Sequence, residues 1–210
     1  MPPLPLAIEL SPILLLLDLA GVAVFAASGA LGAAAKKQTL VTFVFFAVVT
    51  GVGGGTVRDL LIGAPVFWIQ NNAYLLICVA AAVLVWMLPA RFWSERTLLW
   101  FDAVGLAAYA SYGAAKGLAF DVAPIPAIGM GVVTGCLGGI IRDVLSGDPS
   151  ILMRPELYVT VAALSAALTV ALMMLGVPGW IAGPVAALAG FTLRAGAIAR
   201  GWALPAYERE

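Results

Sequence analysis

Two adjacent Arg-Asp pairs, Arg58-Asp59 and Arg142-Asp143, lie within otherwise apolar stretches of the chain. Ionisable side chains in such stretches are costly to place in a membrane, and they usually face the protein interior or a water-filled cavity. Each pair offers one cation and one carboxylate, which suits an ion path or the recognition of a small zwitterion. Because neighbouring residues on a helix do not face each other, each arginine is expected to find a partner other than its adjacent aspartate.

Two further aspartates, Asp18 and Asp102, are the candidate partners. Each lies in the apolar segment that precedes an Arg-Asp pair. The topology derived below places Asp18 and Arg58 towards one side of the membrane, and Asp102 and Arg142 towards the other. We therefore predict Asp18–Arg58 and Asp102–Arg142 pairs, one at each end of a central polar path. The alternative is that these groups are buried ion pairs that only hold the helices together.

Glycine-rich runs precede both Arg-Asp pairs. They comprise Gly53, Gly54 and Gly55 in the first case, and Gly138 and Gly139 in the second. Glycine weakens a helix by roughly 1 kcal/mol relative to alanine, so these runs predict a kink or a break at membrane depth. Backbone opened there is tolerated where it lines a water-filled cavity or is buried in protein. The alternative is close helix packing through small residues spaced by four.

Two threonines, Thr50 and Thr134, stand just before the glycine runs. Their hydroxyls could line the same polar path. The alternative is a hydrogen bond back to the carbonyl one turn earlier, which is common for threonine in spanning helices.

The composition restricts the classes of protein to which the chain can belong. It has 210 residues, of which 63% are hydrophobic and 10% charged, whereas a soluble domain carries about 25% charged residues. The formal net charge is zero, so nothing suggests a nucleic-acid partner. There is no histidine, which removes the commonest general base and metal ligand; we expect neither enzymatic activity, nor a cofactor, nor a bound metal. Cys78 and Cys136 lie in apolar runs and do not form a disulfide framework.

A spanning helix needs about 20 mostly apolar residues, and the chain offers seven such segments. Turn-forming and charged residues separate them. The segments cover about 12–33, 39–62, 72–89, 98–119, 124–146, 156–176 and 179–199. We therefore predict an all-α integral membrane protein in which residues 1–210 form a single membrane domain. The first segment has no preceding basic residue and carries Asp18, so it does not resemble a cleaved signal peptide.

The chain repeats itself without a gap at a shift of 84 residues. Residues 18–63 and 102–147 agree at 17 of 46 positions, and the agreement includes the aspartates, the glycine runs and both Arg-Asp pairs. Repeat 1 covers about 12–89 and repeat 2 about 98–176. Because each repeat has three spans, the second enters the membrane from the opposite side, as in the inverted repeats of transport proteins. The seventh helix, about 179–199, lies outside the repeat.

The basic residues predict the orientation, because they are enriched in cytoplasmic loops. Seven spans place Lys116 alone on one side of the membrane. The other side carries Lys36, Lys37, Arg91, Arg96, Arg154, Arg194, Arg200 and Arg209. This bias predicts a cytoplasmic C-terminus and an N-terminus outside. Tyr74 and Tyr158 lie near the starts of their spans and are interpreted as anchors at the membrane interface, in contact with lipids.

The two motifs Gly54-Gly55-Thr56-Val57-Arg58-Asp59 and Gly138-Gly139-Ile140-Ile141-Arg142-Asp143, with Asp18 and Asp102 upstream, resemble the trimeric intracellular cation (TRIC) channel family in its prokaryotic branch. The resemblance covers essentially the whole chain. It implies a homotrimer in the bacterial inner membrane, with one pore inside each protomer. The second and fifth spans would line that pore, which would pass K⁺ and Na⁺. Bacterial relatives are also described as possible glycine transporters.

Three functions remain open from the sequence. The first is a monovalent cation channel whose vestibules are made cation-attracting by its aspartates. The second is a secondary transporter of glycine or a similar zwitterion, which an Arg-Asp pair could recognise. The third is an intramembrane aspartyl hydrolase in which Asp59 and Asp143 share a proton. The arginine beside each aspartate disfavours the third, because it keeps both carboxylates ionised.

Overall fold

The computed structural model describes residues 12–89 and 95–205. Within these ranges the chain is helical, with one isolated β-bridge between Glu156 and Ala203. Arg91 and Arg209, which contributed to the predicted orientation, lie outside the described residues. The helices are α1 (Pro12–Ala35), α2 (Leu40–Leu61), α3 (Phe67–Gln70), α4 (Ala73–Met87), α5 (Glu95–Ala119), α6 (Pro124–Ser146), α7 (Val159–Met174) and α8 (Gly179–Arg200). A 3₁₀ turn, Ile151–Met153, precedes α7.

Seven of these helices are long, and they confirm the predicted fold class. Helices α1, α2 and α4 form the first repeat, α5, α6 and α7 form the second, and α8 is the additional helix. The repeat extends to the short elements, because α3 and the 3₁₀ turn start at Phe67 and Ile151, which are equivalent positions. Gly63 and Gly147, also equivalent, adopt a positive φ of 68° where the chain leaves α2 and α6.

Four of the described helices are long and apolar enough to cross a membrane. The qualifying segments are Asp18–Ala35, Leu40–Leu61, Pro124–Ser146 and Gly179–Arg200. Helices α4 and α7 are apolar but shorter, with 15 and 16 residues. Together with the repeats, these helices make the chain an integral membrane protein.

The first helix of each repeat occupies the centre of the bundle. Helix α1 packs against α2, α4 and α5, while α5 packs against α1, α6, α7 and α8. Both central helices carry buried polar groups, among them Asp18 on α1 and Asp102 and Lys116 on α5. Asp102 and Lys116 are separated by about 21 Å along the axis of α5, given a rise of 1.5 Å per residue. Helix α5 therefore connects two polar regions that lie towards opposite ends of the bundle.

The glycine runs bring α2 and α6 together. A Cβ atom at Gly54 would collide with the backbone carbonyl of Thr134, and one at Gly138 would stand 2.6 Å from the carbonyl of Thr50. The two contacts are reciprocal, as inverted repeats require. Both helices run uninterrupted through the glycines, so the predicted break does not occur, while a kink stays a prediction. The close approaches agree with the close-packing interpretation of these glycines.

Candidate functional site

Asp59 and Asp143 each cap the short helical element that follows their own helix. Asp59 Oδ2 accepts a hydrogen bond of 3.0 Å from the backbone N–H of Phe67, and Asp143 Oδ2 accepts one of 2.9 Å from that of Ile151. Unsatisfied N–H groups at a helix start require such acceptors at membrane depth. The aspartate of each pair therefore has a structural role in addition to any role in ion passage.

Each arginine contacts its adjacent aspartate, which was not predicted; the expected ion pair with a different aspartate is present for Arg142 and absent for Arg58. Arg58 Nε donates to Asp59 Oδ1 at 2.8 Å. Arg142 Nε and Nη2 donate to Asp143 Oδ1 at 3.0 and 2.8 Å. The rule that adjacent residues diverge applies to side chains extended away from the helix. Arginine is long enough to fold back along the helix surface, and each aspartate already turns towards the end of its helix to cap the next element.

We call Asp18, Arg58, Asp59 and Lys116, all fully or almost fully buried, the first cluster. Lys116 Nζ on α5 lies 2.9 Å from Asp59 Oδ1 on α2. Arg58 Nη2 lies 2.8 Å from the same oxygen, as an ion pair without hydrogen-bond geometry. Lys116, interpreted from the sequence as the lone basic residue of its side, is therefore a buried partner that joins the two repeats.

Asp18 accepts its hydrogen bond from a tyrosine and not from Arg58. Tyr74 Oη donates to Asp18 Oδ2 at 2.6 Å, and Asp18 forms no ion pair with any described residue. The predicted Asp18–Arg58 pair is therefore wrong, although the charges of Arg58 and Lys116 act on this carboxylate. Arg58 is held instead by Asp59 and by the ring of Tyr112, whose centroid lies 5.1 Å from the guanidinium carbon.

We call Asp102, Arg142 and Asp143 the second cluster. Arg142 Nη1 lies 2.9 Å from Asp102 Oδ1, which confirms the predicted pair. The same nitrogen donates to Ser28 Oγ on α1. Arg142 thus binds both aspartates of its own repeat and reaches the first helix of the other repeat. Its nitrogens all have partners within the described part of the chain.

The two clusters differ at the positions that the opposite repeat supplies. Arg58 is faced by Tyr112 and, through Asp59, by Lys116. The equivalent positions facing Arg142 are Ser28 and Gly32. A Cβ at Gly32 would stand 3.2 Å from Arg142 Cγ. A bulky ring and a cation at one end of the bundle are therefore replaced by two small residues at the other.

The two threonines also differ. Thr134 Oγ1 donates to the carbonyl of Met130 at 2.5 Å, one turn earlier, as the back-bonding alternative predicted. Thr50 Oγ1 is buried and has no hydrogen-bond partner among the described residues. Of the two predicted path residues, Thr50 is therefore the one whose hydroxyl is left for a ligand or for water.

The remaining predicted site residues, the glycines, provide space for larger groups. Gly53 faces Ile141 Cδ1, and Gly55 faces the ring of Phe67. A Cβ at Gly139 would stand 2.6 Å from Tyr158 Oη and 3.1 Å from Asp102 Oδ1. Gly139 therefore lets two polar groups of the second cluster region approach α6.

Several buried side-chain atoms have no hydrogen-bond partner among the residues that the structure describes. They are Asp18 Oδ1, Thr50 Oγ1, Arg58 Nη1 and Nη2, Asp102 Oδ2, Tyr109 Oη, Tyr158 Oη, Ser165 Oγ and Arg194 Nε. Most belong to the two clusters or to the central helices between them. Buried polar groups are normally satisfied by protein or by ordered water, so these atoms are the ones that a ligand or water would be expected to meet.

Sequence reasoning missed four buried polar residues. Tyr74 and Tyr158, interpreted as interfacial anchors, are 5% and 1% exposed and lie at the clusters. Tyr74 and Tyr158 are equivalent at the 84-residue shift, as are Asp18 and Asp102. This shared spacing was the signal that could have indicated that each tyrosine lies near the aspartate of its own repeat. Lys116 and Arg194 were counted as loop charges. No signal in the spacing distinguished them from basic residues at a helix end.

Arg194 fastens α8 to the second repeat. Its Nη2 donates to Glu156 Oε2 at 2.7 Å, and its guanidinium lies 5.6 Å from the ring centroid of Tyr158. The backbone N–H of Leu204 donates to the carbonyl of Pro155 at 2.8 Å beside the Glu156–Ala203 bridge. The side chain of Tyr158 is thus held from both the α7 and the α8 sides.

No group of three or more histidine, cysteine, aspartate or glutamate side chains comes together to hold a metal ion within residues 12–89 and 95–205. The charged groups of the two clusters form ion pairs between carboxylates and cations.

Comparison with known proteins finds one family model that matches the chain twice. The model is described as glycine transporter, and it covers residues 15–90 and 99–174. A UPF0126 membrane protein of Vibrio cholerae is 42% identical over 154 residues, covering 70% of this chain and 63% of the relative. The inner membrane protein YadS of Escherichia coli K12, also of UPF0126, is 38% identical over 149 residues, covering 69% of this chain and 71% of the relative.

Solved structures of similar fold cover nearly the whole chain. The TRIC trimeric intracellular cation channel orthologue from Rhodobacter sphaeroides is 41% identical, with a TM-score of 0.85; 91% of this chain and 100% of that one are covered. A second structure, from a study of conductance through TRIC cation channels, is 29% identical, with a TM-score of 0.83. The match covers 93% of this chain and 97% of that one. Both the fold and the sequence are therefore shared.

Proposed function

Because the chain belongs to the prokaryotic TRIC channel family, we propose that it is a monovalent cation channel that passes K⁺ and Na⁺ through a path inside each protomer. The path runs from the first cluster to the second beside the crossing of α2 and α6. Residues proposed to border it are Thr50, Gly53, Gly54, Gly55, Arg58, Asp59, Thr134, Gly138, Gly139, Arg142 and Asp143, with Asp18 and Asp102 in the vestibules. Residues 1–210 act as one membrane domain.

The unpartnered buried polar atoms carry this proposal. Asp18 Oδ1, Thr50 Oγ1, Tyr109 Oη and Asp102 Oδ2 lie on α1, α2 and α5. In a bilayer each unsatisfied polar group costs several kcal/mol. Water and hydrated cations along one route would satisfy all of them. A bundle held only by packing would have no reason to keep them polar.

The arginines do not oppose cation passage, because carboxylates neutralise them. Arg58 faces Asp59 at 2.8 Å, and Arg142 lies between Asp102 and Asp143 at 2.9 and 2.8 Å. A guanidinium paired in this way holds the carboxylates in position. Asp18 Oδ1 and Asp102 Oδ2, which have no partner among the described residues, remain to attract cations, one towards each end of the path.

The test is a flux measurement on purified protein in proteoliposomes, with K⁺, Na⁺ and glycine compared under identical gradients. We expect fast, non-saturating K⁺ and Na⁺ currents in planar bilayers, and changed conductance in Arg58→Gln and Asp59→Asn. Unchanged conductance and selectivity in both variants would refute the proposed path.

The second candidate is a secondary transporter of glycine or a similar zwitterion. The observation that favours it is the description of the matching family model as glycine transporter. The neighbouring guanidinium and carboxylate groups of each cluster could bind a carboxylate and an amine. Saturable glycine uptake coupled to an ion, without unitary currents, would replace the channel proposal with this one.

The aspartyl hydrolase hypothesis has no support from the family, whose solved members are described as cation channels. Both candidate aspartates are also occupied. Asp59 and Asp143 each accept hydrogen bonds from an arginine and from a backbone N–H. Carboxylates whose oxygens already accept these hydrogen bonds are poorly placed to share a catalytic proton with each other.

We also propose that the chain forms a homotrimer in the bacterial inner membrane, with the N-terminus outside and the C-terminus in the cytoplasm. The trimer follows from the relative that is described as trimeric, and the location from the inner membrane relative. Light scattering that separates protein from detergent mass tests the trimer. Labelling of single cysteines introduced next to Lys37 and Arg200 with a membrane-impermeant reagent tests the orientation, since both positions should be protected in intact cells.

A further inference from the structure

The two clusters do not carry the same charge. The first contains two carboxylates, Asp18 and Asp59, and two cations, Arg58 and Lys116. The second contains two carboxylates, Asp102 and Asp143, and one cation, Arg142. The position equivalent to Lys116 is Gly32, which faces Arg142 without a side chain. Outside the cluster, Glu156 pairs with Arg194 at 2.7 Å and with the half-exposed Arg154 at 3.9 Å. Counted by its own residues, the second cluster therefore holds one negative charge in excess.

The unpartnered atoms follow the same asymmetry. In the first cluster, Asp18 Oδ1 is an unused acceptor, but Arg58 Nη1 and Nη2 are unused donors. In the second, Arg142 has no unused nitrogen, while Asp102 Oδ2 and Tyr158 Oη have no partner among the described residues. Both residues are almost completely buried, at 0% and 1% exposure. Only the second cluster has an unused carboxylate oxygen and no cationic group of its own left to meet it.

Tyr158 Oη and the Asp102 carboxylate lie beside the same point on α6. A Cβ at Gly139 would stand 2.6 Å from Tyr158 Oη and 3.1 Å from Asp102 Oδ1, the oxygen that also accepts from Arg142. In the first repeat the equivalent groups, Tyr74 and Asp18, bond to each other at 2.6 Å. Arg142 is shared between the carboxylates of Asp102 and Asp143, so one of these two negative charges has no cation of its own, and a further positive partner would stabilise it.

We propose that the second cluster binds one monovalent alkali cation at the Asp102 carboxylate and Tyr158 Oη, where it replaces the charge that Lys116 supplies to the first cluster. A carboxylate oxygen, a phenolic oxygen and nearby water or backbone oxygens suit a hard cation. A single excess charge favours a monovalent ion, since a divalent ion would leave the cluster positive. The inference deepens the proposed function, on which its choice of K⁺ and Na⁺ rests, by assigning a binding site near one end of the path.

The test measures binding without transport. Thermal unfolding of the purified full-length protein is followed while K⁺ or Na⁺ replaces N-methyl-D-glucamine at constant ionic strength. We expect the midpoint temperature of unfolding of the wild-type protein to rise as the K⁺ or Na⁺ concentration increases, and then to reach a plateau. Asp102→Asn, which makes the cluster neutral, should lose this dependence, and Tyr158→Phe should need roughly two- to ten-fold more cation for the same shift.

The first repeat provides matched controls. Asp18→Asn and Tyr74→Phe change the equivalent residues of the balanced cluster, so they should lower the midpoint in every salt and keep its cation dependence. The site would be overturned if the unfolding midpoint of wild type were the same in all three salts. It would also be overturned if the midpoint of Asp102→Asn still depended on the cation, or if Asp18→Asn lost that dependence to the same extent.

Thallium(I), which mimics K⁺, provides a direct readout if Asp102→Asn fails to fold. Crystals of wild type grown with thallium(I) should show an anomalous peak in contact with both Asp102 and Tyr158, and crystals of Tyr158→Phe a weaker one. Density for water without an anomalous peak would overturn the site. If the protein carries no current but its unfolding midpoint still depends on the cation, the proposed channel is refuted and the site stands. If it carries currents but its unfolding midpoint does not depend on the cation, the site is refuted and the channel stands.

Discussion

Lys116 Nζ and Asp59 Oδ1 lie 2.9 Å apart, and they join the first helix of the second repeat to the second helix of the first. At the other end of the bundle Gly32 stands at the position equivalent to Lys116, and the buried contact between the repeats is a hydrogen bond from Arg142 to Ser28. The repeats are therefore joined by a buried ion pair at one end, and by a buried hydrogen bond and the exposed Lys36–Asp148 ion pair at the other. The backbones of the two repeats are thus related by inverted symmetry, whereas the side-chain contacts that join the repeats differ between the two ends of the bundle.

Replacing Lys116 with methionine should destabilise the protein by about 3 kcal/mol, because a buried ion pair loses one partner while Arg58 still faces Asp59. The measurement is unfolding in detergent. Lys36→Met is the control: the Lys36–Asp148 pair has the same type of contact at 2.7 Å, but its side chains are 39% and 46% exposed. It should change stability by at most about 1 kcal/mol. Equal effects of the two variants would contradict the buried role of Lys116.

Gly138→Ala should weaken the crossing of α2 and α6, because its Cβ would stand 2.6 Å from the carbonyl of Thr50, a backbone atom that yields poorly. Overpacking of this kind costs about 1–3 kcal/mol. Gly129→Ala lies on the same helix with nothing within 4 Å of its Cβ, and it should be neutral or slightly stabilising. Chromatographic homogeneity and thermal unfolding are the measurements. A Gly138→Ala protein as stable as Gly129→Ala would show that the helices do not need this close contact.

Tyr74→Phe and Tyr158→Phe should differ when no alkali cation is present. Tyr74 Oη is the hydrogen-bond donor to buried Asp18, so its loss should cost about 1–3 kcal/mol. Tyr158 Oη has no partner in the described residues, and its loss should change the stability by no more than about 0.5 kcal/mol. Denaturation in N-methyl-D-glucamine chloride compares them. If both variants lose the same stability, the two tyrosines have equivalent bonds and the asymmetry of the clusters is not real.

Thr50→Val should reduce cation conductance about five-fold, because it removes a hydroxyl that we expect to bind water or ions in the path, an interaction of about 1 kcal/mol. Thr134→Val should leave the conductance almost unchanged, since the Thr134 hydroxyl is bonded to the carbonyl of Met130. Single-channel recordings in planar bilayers compare the two. A larger effect of Thr134→Val than of Thr50→Val would place the path elsewhere.

The sequence predicted the helices and the repeat because both depend on patterns that repeat along the chain. Apolar segments of spanning length and the 84-residue shift identified the seven long helices, α1, α2 and α4 to α8, with small differences at the helix ends, but not the short helix α3. The Asp102–Arg142 pair was also predictable, since both residues recur at equivalent positions. These features need no knowledge of how individual side chains are oriented.

The side-chain partners were harder to predict, because they depend on contacts between repeats and on side-chain length. The Asp18–Arg58 prediction failed because Tyr74 reaches Asp18 from α4, while Arg58 folds back on Asp59. The role of Lys116 depends on the approach of α5 to the end of α2, which a shift within the sequence does not show. The glycines predicted a break where the structure has close packing, because the neighbouring backbone is absent from the sequence pattern.

The attachment of α8 through Arg194 and Glu156 has a consequence for the order of assembly. Helix α8 follows both repeats in the chain, so both repeats can enter the membrane before it does. Until α8 docks, the only ion-pair partner of Glu156 among the described residues is the half-exposed Arg154, 3.9 Å away, and the pocket beside Ser165, into which Gly190 packs, is open. Docking of α8 therefore both fills this pocket and brings the closer of two cations to Glu156.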